Sequence, residues 1–226
     1  MKIVLAVSVS VSATVAIATS SAWAQQNWPA KSIRFVAPFA PGGGTDFIGR
    51  VAAQKLTEAI KQQVIVDNRP GAGGTLGAEI GAKSPPDGYT FTVIAGSYAV
   101  NPAIYKLSFD PVTALEPVSM TSWGQLLLVA SNASGIRSAE EMVARARAKP
   151  GALNYGSPGN GTTGHLGLAG FLHTAGVQIT HIPYRGAAPA MIDLVAGRVD
   201  MMFVGVLPSK AHLDSGALRV LGVTSK

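Results

Sequence analysis

Cysteine is absent from the 226 residues. Disulfides and thiolate metal sites are therefore excluded, and the fold must rest on its core. Charge is sparse: 13% of the residues are Asp, Glu, Lys or Arg, against 47% hydrophobic. That balance supports a packed interior and excludes a disordered polar chain. The net charge is +6, yet Lys and Arg are scattered, without a run of four and without interleaved aromatics. The pattern argues against nucleic acid and for a weak bias towards small anions. The histidines His165, His173, His181 and His212 form no H-x-x-x-H or H-E-x-x-H pair, so neither a metal nor a cofactor is expected. A G-x-S-x-G elbow is missing too, and nothing repeats at a solenoid period.

Residues Met1 to Ala24 read as a secretory signal peptide. Lys2 supplies the positive start, Ile3 to Ile17 an apolar stretch broken by Ser and Thr, and Ala22-Trp23-Ala24 an A-x-A cleavage site before Gln25. The alternative, a membrane anchor, needs about 20 apolar residues, and the run is shorter. No later stretch is long and apolar enough to span. The expectation is a periplasmic protein, cleaved between Ala24 and Gln25.

The chain is organised around Pro38-Phe39-Ala40-Pro41-Gly42-Gly43-Gly44-Thr45-Asp46. An apolar run, Ile33 to Ala37, precedes it, and a helical stripe of Phe47, Ile48, Val51, Ala52, Leu56 and Ile60 follows. This order reads strand, glycine-rich turn, helix N-terminus. Such a turn offers unpaired N–H groups at the positive end of the helix dipole, which suits an anion. No Lys follows the glycines, and the spacing is not G-x-G-x-x-G, so a carboxylate fits better than a nucleotide. A plain tight turn is the competing reading. Asp46, in the first turn of the helix, either caps it or complements its dipole, or contacts the ligand directly.

Further strands are expected at Val64–Val66 and Tyr89–Ala95, with a helix from Thr75 to Lys83 between them. The β-α-β-α-β order with short links predicts a parallel sheet, whose ligands bind beyond the carboxyl ends of its strands. Ser97 lies at the end of the third strand. It is a candidate contact, or else a cap for a helix over Val100–Tyr105. Pro117 to Ser131 reads as a long extended crossing into a second lobe. There Ser138 opens a capped helix, and Leu153-Asn154-Tyr155 leads into another glycine-rich turn, Gly156 to His165. In that turn Ser157, Thr162 and Thr163 add hydroxyls. Strands at Thr180–Pro183, Val199–Val204 and Leu218–Thr224 alternate with helices at Ala190–Ala196 and Pro208–Ser215. Arg185 either pairs with a ligand carboxylate or is solvated, and Asp200 is expected to hydrogen-bond locally. Two glycine-rich turns at matching points of two α/β halves suggest two helix N-termini facing one anion. The enzyme alternative, an exported hydrolase or transferase, would use Ser157 or Thr163 with His165, but no third orienting group stands out.

The ordered motifs are specific. They include Trp28-Pro29, Pro38 to Asp46, Asn68-Arg69-Pro70-Gly71-Ala72-Gly73-Gly74, Pro86-Asp87-Gly88-Tyr89-Thr90 and Asn101-Pro102. In the second half stand Leu153 to Ser157, His165-Leu166, Pro183 to Gly186, Ala188-Pro189-Ala190 and Gly197-Arg198-Val199-Asp200. The chain resembles the Bug family, the extracytoplasmic solute receptors of tripartite tricarboxylate transporters. The resemblance implies an α/β type II periplasmic-binding-protein fold: two α/β lobes with a ligand cleft between them. On this sequence the lobes fall at residues 25–121 and 122–226. It also implies a non-enzymatic receptor, acting as a monomer. The receptor would hold a small carboxylate (di- or tricarboxylate, acidic amino acid or aromatic carboxylate) and deliver it to membrane permease subunits. A ligand-sensing subunit for a signalling partner would use the same cleft. The family's binding roles fall on Phe39, Ala40, Gly42 and Gly43, on Ser157, and on Gly161, Thr162 and Thr163. Ser97, Tyr184 and Gly186 are further contacts implied by the resemblance. Members of that family continue for about a hundred residues more and return to the first lobe. The expectation is therefore an incomplete first lobe.

Overall fold

A computed structural model describes residues 28–225. The expected leader and its Ala24/Gln25 junction lie outside them. The first sheet has three parallel strands in the order β2-β1-β3. Its centre is β1 (Ile33–Ala37), flanked by β2 (Val64–Asn68) and β3 (Thr90–Thr92). Ile33, Val36 and Ala37 are buried because helices cover both faces of this central strand. Helix α1 (Gly44–Ile60) starts earlier than its apolar stripe suggests, inside the glycines. The stripe holds only in its second half: Leu56 and Ile60 pack against the core, whereas Phe47 and Val51 stay exposed and Gly49 and Ala53 turn inward. The apolar positions of α1 cover more than one face, and the small residues let it sit closest to the sheet: a methyl on Gly49 would lie 3.4 Å from Val93.

Helix α2 (Thr75–Ala82) follows the second glycine-rich turn, and α3 (Ser97–Ile104) follows β3. Strand β3 is shorter than expected. Val93 N–H still bonds to the Val36 carbonyl, and the chain then leaves the sheet. Helix α3 begins at Ser97 with Gly96 as its cap residue, so Ser97 is the first helical residue rather than the cap of a later helix. The expected extended crossing over Pro117–Ser131 is only half formed. Residues 117–125 carry no regular structure, and Val118, Met120 and Trp123 are exposed. A strand needs a ladder partner, and pairing with this segment begins only at Leu126, opposite Gly205, and at Leu127, opposite Val223.

The second sheet is mixed, in the order β6-β5-β7-β4-β8. Its strands are β4 (Leu126–Ser131), β5 (Asn154–Ser157), β6 (Thr180–Pro183), β7 (Met201–Gly205) and β8 (Leu218–Val223). Strand β4 runs antiparallel to β7 and β8, while β5 is parallel to β6 and β7. The carboxyl ends of β5, β6, β7 and β8 therefore share one rim. Alternation along β7 feeds two cores: Met201 and Phe203 face one, Met202 and Val204 the other. Helices α4 (Ala139–Ala148) and α5 (Thr163–Ala175) cover the first. Helix α6 (Ala187–Val195) packs on the second, and α7 (Val206–Asp214) adds Leu213 to it. Capping follows the sequence: Ser138 accepts from Glu141 N–H and Thr162 from His165 N–H. Asp200 pairs with Asn154, each side chain accepting the other's backbone N–H, at 2.8 and 3.0 Å. Among the described residues no helix is long and apolar enough to cross a membrane.

Candidate functional site

The first glycine-rich turn is held from below by a carboxylate. Asp46 is 3% exposed. Its Oδ2 accepts from Gly42 N–H at 2.9 Å and from Arg50 Nε at 3.0 Å, and its Oδ1 accepts from Asn68 Nδ2 at 2.9 Å. Asn68 Nδ2 also donates to the Phe39 carbonyl, and Asn68 Oδ1 accepts from Arg50. Burial pushes the Asp46 carboxyl up, but the bonds from Arg50, Gly42 and Asn68 outweigh it, and the group sits below its usual range. Gly42 adopts φ 84°, a left-handed conformation that glycine takes without strain. Asp46 thus does more than complement the dipole of its own helix.

The glycine-rich turn after β5 is closed in a similar way. Ser157 is fully buried, and its Oγ accepts from Gly159 N–H at 3.1 Å, donates to the Gly159 carbonyl and lies 2.7 Å from His181 Nε2. Thr162 donates to the Gly159 carbonyl at 2.7 Å. His165 Nδ1 accepts from Gly161 N–H at 3.2 Å, which sets the neutral tautomer with the proton on Nε2. The His165 and His181 rings stack with centroids 4.2 Å apart, and Tyr155 stacks on the other face of His181 at 4.7 Å. Burial, with His165 nearby, pushes His181 down to about 4; burial also lowers His165. The nucleophile and base expected for a hydrolase are not paired. Ser157 meets His181 instead of His165, it is sealed from solvent, and no carboxylate orients His181 among the described residues.

Each of these turns meets a segment on the opposite sheet's side, the first turn the loop after β6 and the turn after β5 the second glycine-rich turn and α3. Ala40 N–H donates to the Arg185 carbonyl at 3.0 Å, and Tyr105 O–H to the Asn160 carbonyl at 3.4 Å. Contact is close because the facing residues are small. A methyl on Gly73, at φ 61°, would come closer than 3.0 Å to the Asn160 carbonyl oxygen, and one on Gly186 would stand 2.9 Å from Ala40 N. Gly42 and Gly43 lie against Ala188 and Ala187, at the start of α6. Between the two sides remains a cavity of about 30 Å³, lined by Phe39 and Gly71–Gly74 on one and Pro158, Tyr184 and Arg185 on the other.

The seam therefore gathers Phe39, Ala40, Gly42, Gly43, Tyr184 and Gly186. Gly161 faces Ile104 across it, and Thr163, exposed, approaches Gly96. Ser97 is buried beside Gly96. Ser157 and Thr162 lie beneath the turn, their hydroxyls spent on holding it. The Tyr184 hydroxyl donates to Asp193 at 2.6 Å; burial first, and then this bond, raises its pKa to about 12. The helix N-terminus against the first turn is that of α6, whereas the sequence pattern pointed to α5. Three contributors escaped the sequence reading. Arg50 carried a signal, standing four residues after Asp46 on one helix face. Asn68 and Asn101 stood at the head of two family motifs, with no role attached to either side chain. Asn101 is 2% exposed, its Nδ2 reaches the Gly73 carbonyl at 3.5 Å, and its Oδ1 has no partner among the described residues.

The profile of a family described as "Tripartite tricarboxylate transporter family receptor" matches residues 48–226. The chain belongs to this family. The family is one of solute-binding receptors, not enzymes. A UPF0065 protein encoded in the tcbD-tcbE intergenic region of Pseudomonas sp. (strain P51) is 39% identical over 213 residues, covering 93% of this chain and 63% of that protein. BugT of Bordetella pertussis is 35% identical, covering 88% and 62%. Family members of known structure superpose well. R. palustris Rpa4515, solved with adipate, gives a TM-score of 0.84 at 37% identity, over 88% of this chain and 67% of that one. MatC from Rhodopseudomonas palustris, solved with bound malate, gives 0.81 at 25% identity, over 88% and 68%. The type II periplasmic-binding-protein architecture expected from the resemblance is thus the fold of this family. The chain spans less than two thirds of the curated relatives it matches.

Proposed function

We propose that the protein is a periplasmic receptor that holds a small carboxylate between two lobes, residues 25–121 and 122–226, and passes it to the membrane subunits of a tripartite transporter. The observation that carries the reading is the convergence, at one seam, of glycine-rich turns from two different sheets. Backbone N–H groups and a positive helix start give such a seam donors for an anion without a dedicated cationic side chain. Two solved structures similar to this chain hold adipate and malate, both dicarboxylates, which supports the class. Phe39, Ala40, Gly42, Gly43, Ser97, Tyr184, Gly186 and the Gly161–Thr163 turn border or shape the ligand space, and Ser157 shapes it from beneath. Residues 1–24 direct export and are then cleaved off, which mass measurement of the secreted protein would check. Closure of the lobes on the ligand is a hinge motion.

Calorimetric titration with mono-, di- and tricarboxylates and acidic amino acids tests the function. Saturable binding of one class without turnover is expected. Replacing Gly43 by Val should abolish that binding with little loss of fold, because an added Cβ already touches Ala187 at 3.6 Å and the two further methyl groups would extend into the seam. Unchanged affinity in the variant contradicts the site.

A further inference from the structure

Asp46 has more bonds than a helix-start acid needs. An acidic residue in a first turn is ordinarily explained by the helix dipole. Here the carboxylate reaches back to Gly42 N–H, outside the helix, and across to Asn68 at the end of β2. Asn68 uses the same amide nitrogen to hold the Phe39 carbonyl, and Arg50 bridges Asp46 and Asn68. The three side chains form a closed ring, and Asn68 is also the first residue of the second glycine-rich turn. That turn supplies Gly71–Gly74 to the same cavity that Phe39 lines.

We infer that Asp46 is a positioning residue, which through Asn68 and Arg50 locks the first and second glycine-rich turns into one rigid unit on one side of the ligand seam. Its relevance to capture rests on the receptor reading above. The carboxylate does not itself meet the ligand. Both its oxygens are occupied, and a negative charge facing a carboxylate would repel it. Gly42 N–H is likewise withdrawn from ligand binding, so its amide serves the shape of the turn. Arg50 compensates the buried charge, which would otherwise be costly.

The test compares Asp46→Asn, Asn68→Ala and the double variant with Asp87→Asn, which removes an exposed acid in a surface ion pair. Two readouts are taken on the purified protein: amide hydrogen exchange over residues 38–46 and 68–74, and calorimetric affinity for adipate and malate. Asn68→Ala is expected to speed exchange in residues 38–46 at least tenfold, although Asn68 lies on another element, and to weaken binding at least tenfold. Asp46→Asn should do the same, the double variant should lose no more than the worse single one, and Asp87→Asn should change neither readout. A lower melting temperature with unchanged local exchange and unchanged affinity would reduce Asp46 to a purely structural group and overturn the inference. Additive losses in the double variant would overturn the ring. If the unmodified protein binds neither probe, the receptor reading fails for those ligands, and the exchange data still decide whether the turns are locked together.

Discussion

Gly73→Ala separates folding from closure. The substitution does two things. It places an alanine at φ 61°, and it drives a methyl into the Asn160 carbonyl oxygen on the opposite side of the seam. The left-handed strain, about 1–2 kcal/mol, is present whether or not the sides touch, so it falls on folding. The overlap exists only when they touch, so it falls on closure. Parting the sides far enough to relieve it breaks the Ala40–Arg185 and Tyr105–Asn160 bonds. Two net hydrogen bonds are worth about 1–3 kcal/mol together. At about 1.4 kcal/mol per factor of ten, that predicts a loss of affinity of roughly fivefold to 150-fold. Gly176→Ala is the control. Gly176 has φ 64°, and nothing lies within 4 Å of the added methyl. Both variants should lose about 2–8 °C of melting temperature, from the strain and the size of the chain. Only Gly73→Ala should weaken ligand binding and enlarge the radius of gyration in solution scattering. Equal affinities in the two variants would refute the assignment of this seam as the closing surface.

Acid should act through two separate windows. His181 and His165 are held neutral in the folded protein, so their unfolded forms bind protons first; stability is full above about pH 6.5 and declines as pH falls towards 4. Asp46 is held ionised, so its contribution is lost only at more acid pH, below the ordinary aspartate value of about 3.9. Denaturant titrations across pH should show the upper limb, and the pair His165→Asn with His181→Gln should flatten it; a profile unchanged by that pair would dismiss the stacked rings as its source. Ser157→Ala leaves Gly159 N–H without its partner in a buried turn and should cost about 1–3 kcal/mol in a denaturant titration, with a smaller loss pointing to a replacement water. Tyr184→Phe should leave carboxylate affinity within about twofold, since the hydroxyl is engaged by Asp193, on a scale where tenfold is about 1.4 kcal/mol; a large loss would place that hydroxyl on the ligand.

Much of the architecture was legible because local signals agreed. Ile33–Ala37 and Thr180–Pro183 are strands with the bounds expected of them, and Ser138 and Thr162 begin helices as their residue types suggest. Errors collected where a distant partner decides. The stripe on α1 was right for Leu56 and Ile60, but in its first half the sheet takes Gly49 and Ala53, where small residues allow closest approach, instead of Phe47 and Val51. Residues 117–125 look extended in sequence, yet a strand is a pairing, and pairing starts at Leu126. The same holds at the site. The glycine-rich turns were visible as compositions, whereas the Asp46–Asn68 bond spans 22 positions and joins residue types common in any turn. Ser157 and His165 looked like partners by proximity along the chain. The register of β5 on β6, which sets Tyr155 opposite His181, puts His181 there instead.

Much of the seam is built from residues without flexible side chains. Gly42, Gly43 and Gly186 face Ala188, Ala187 and Ala40 across it, and Gly159 lies against Gly73. Glycine and alanine have no rotamers to lose, whereas an ordinary interface gives up about 0.5–1.5 kcal/mol for each long side chain it immobilises. Bringing these two surfaces together therefore costs little configurational entropy, and parting them recovers little. On the receptor reading proposed above, the balance between open and shut is then left to whatever lies between the turns, so that even a molecule of a few heavy atoms would tip it.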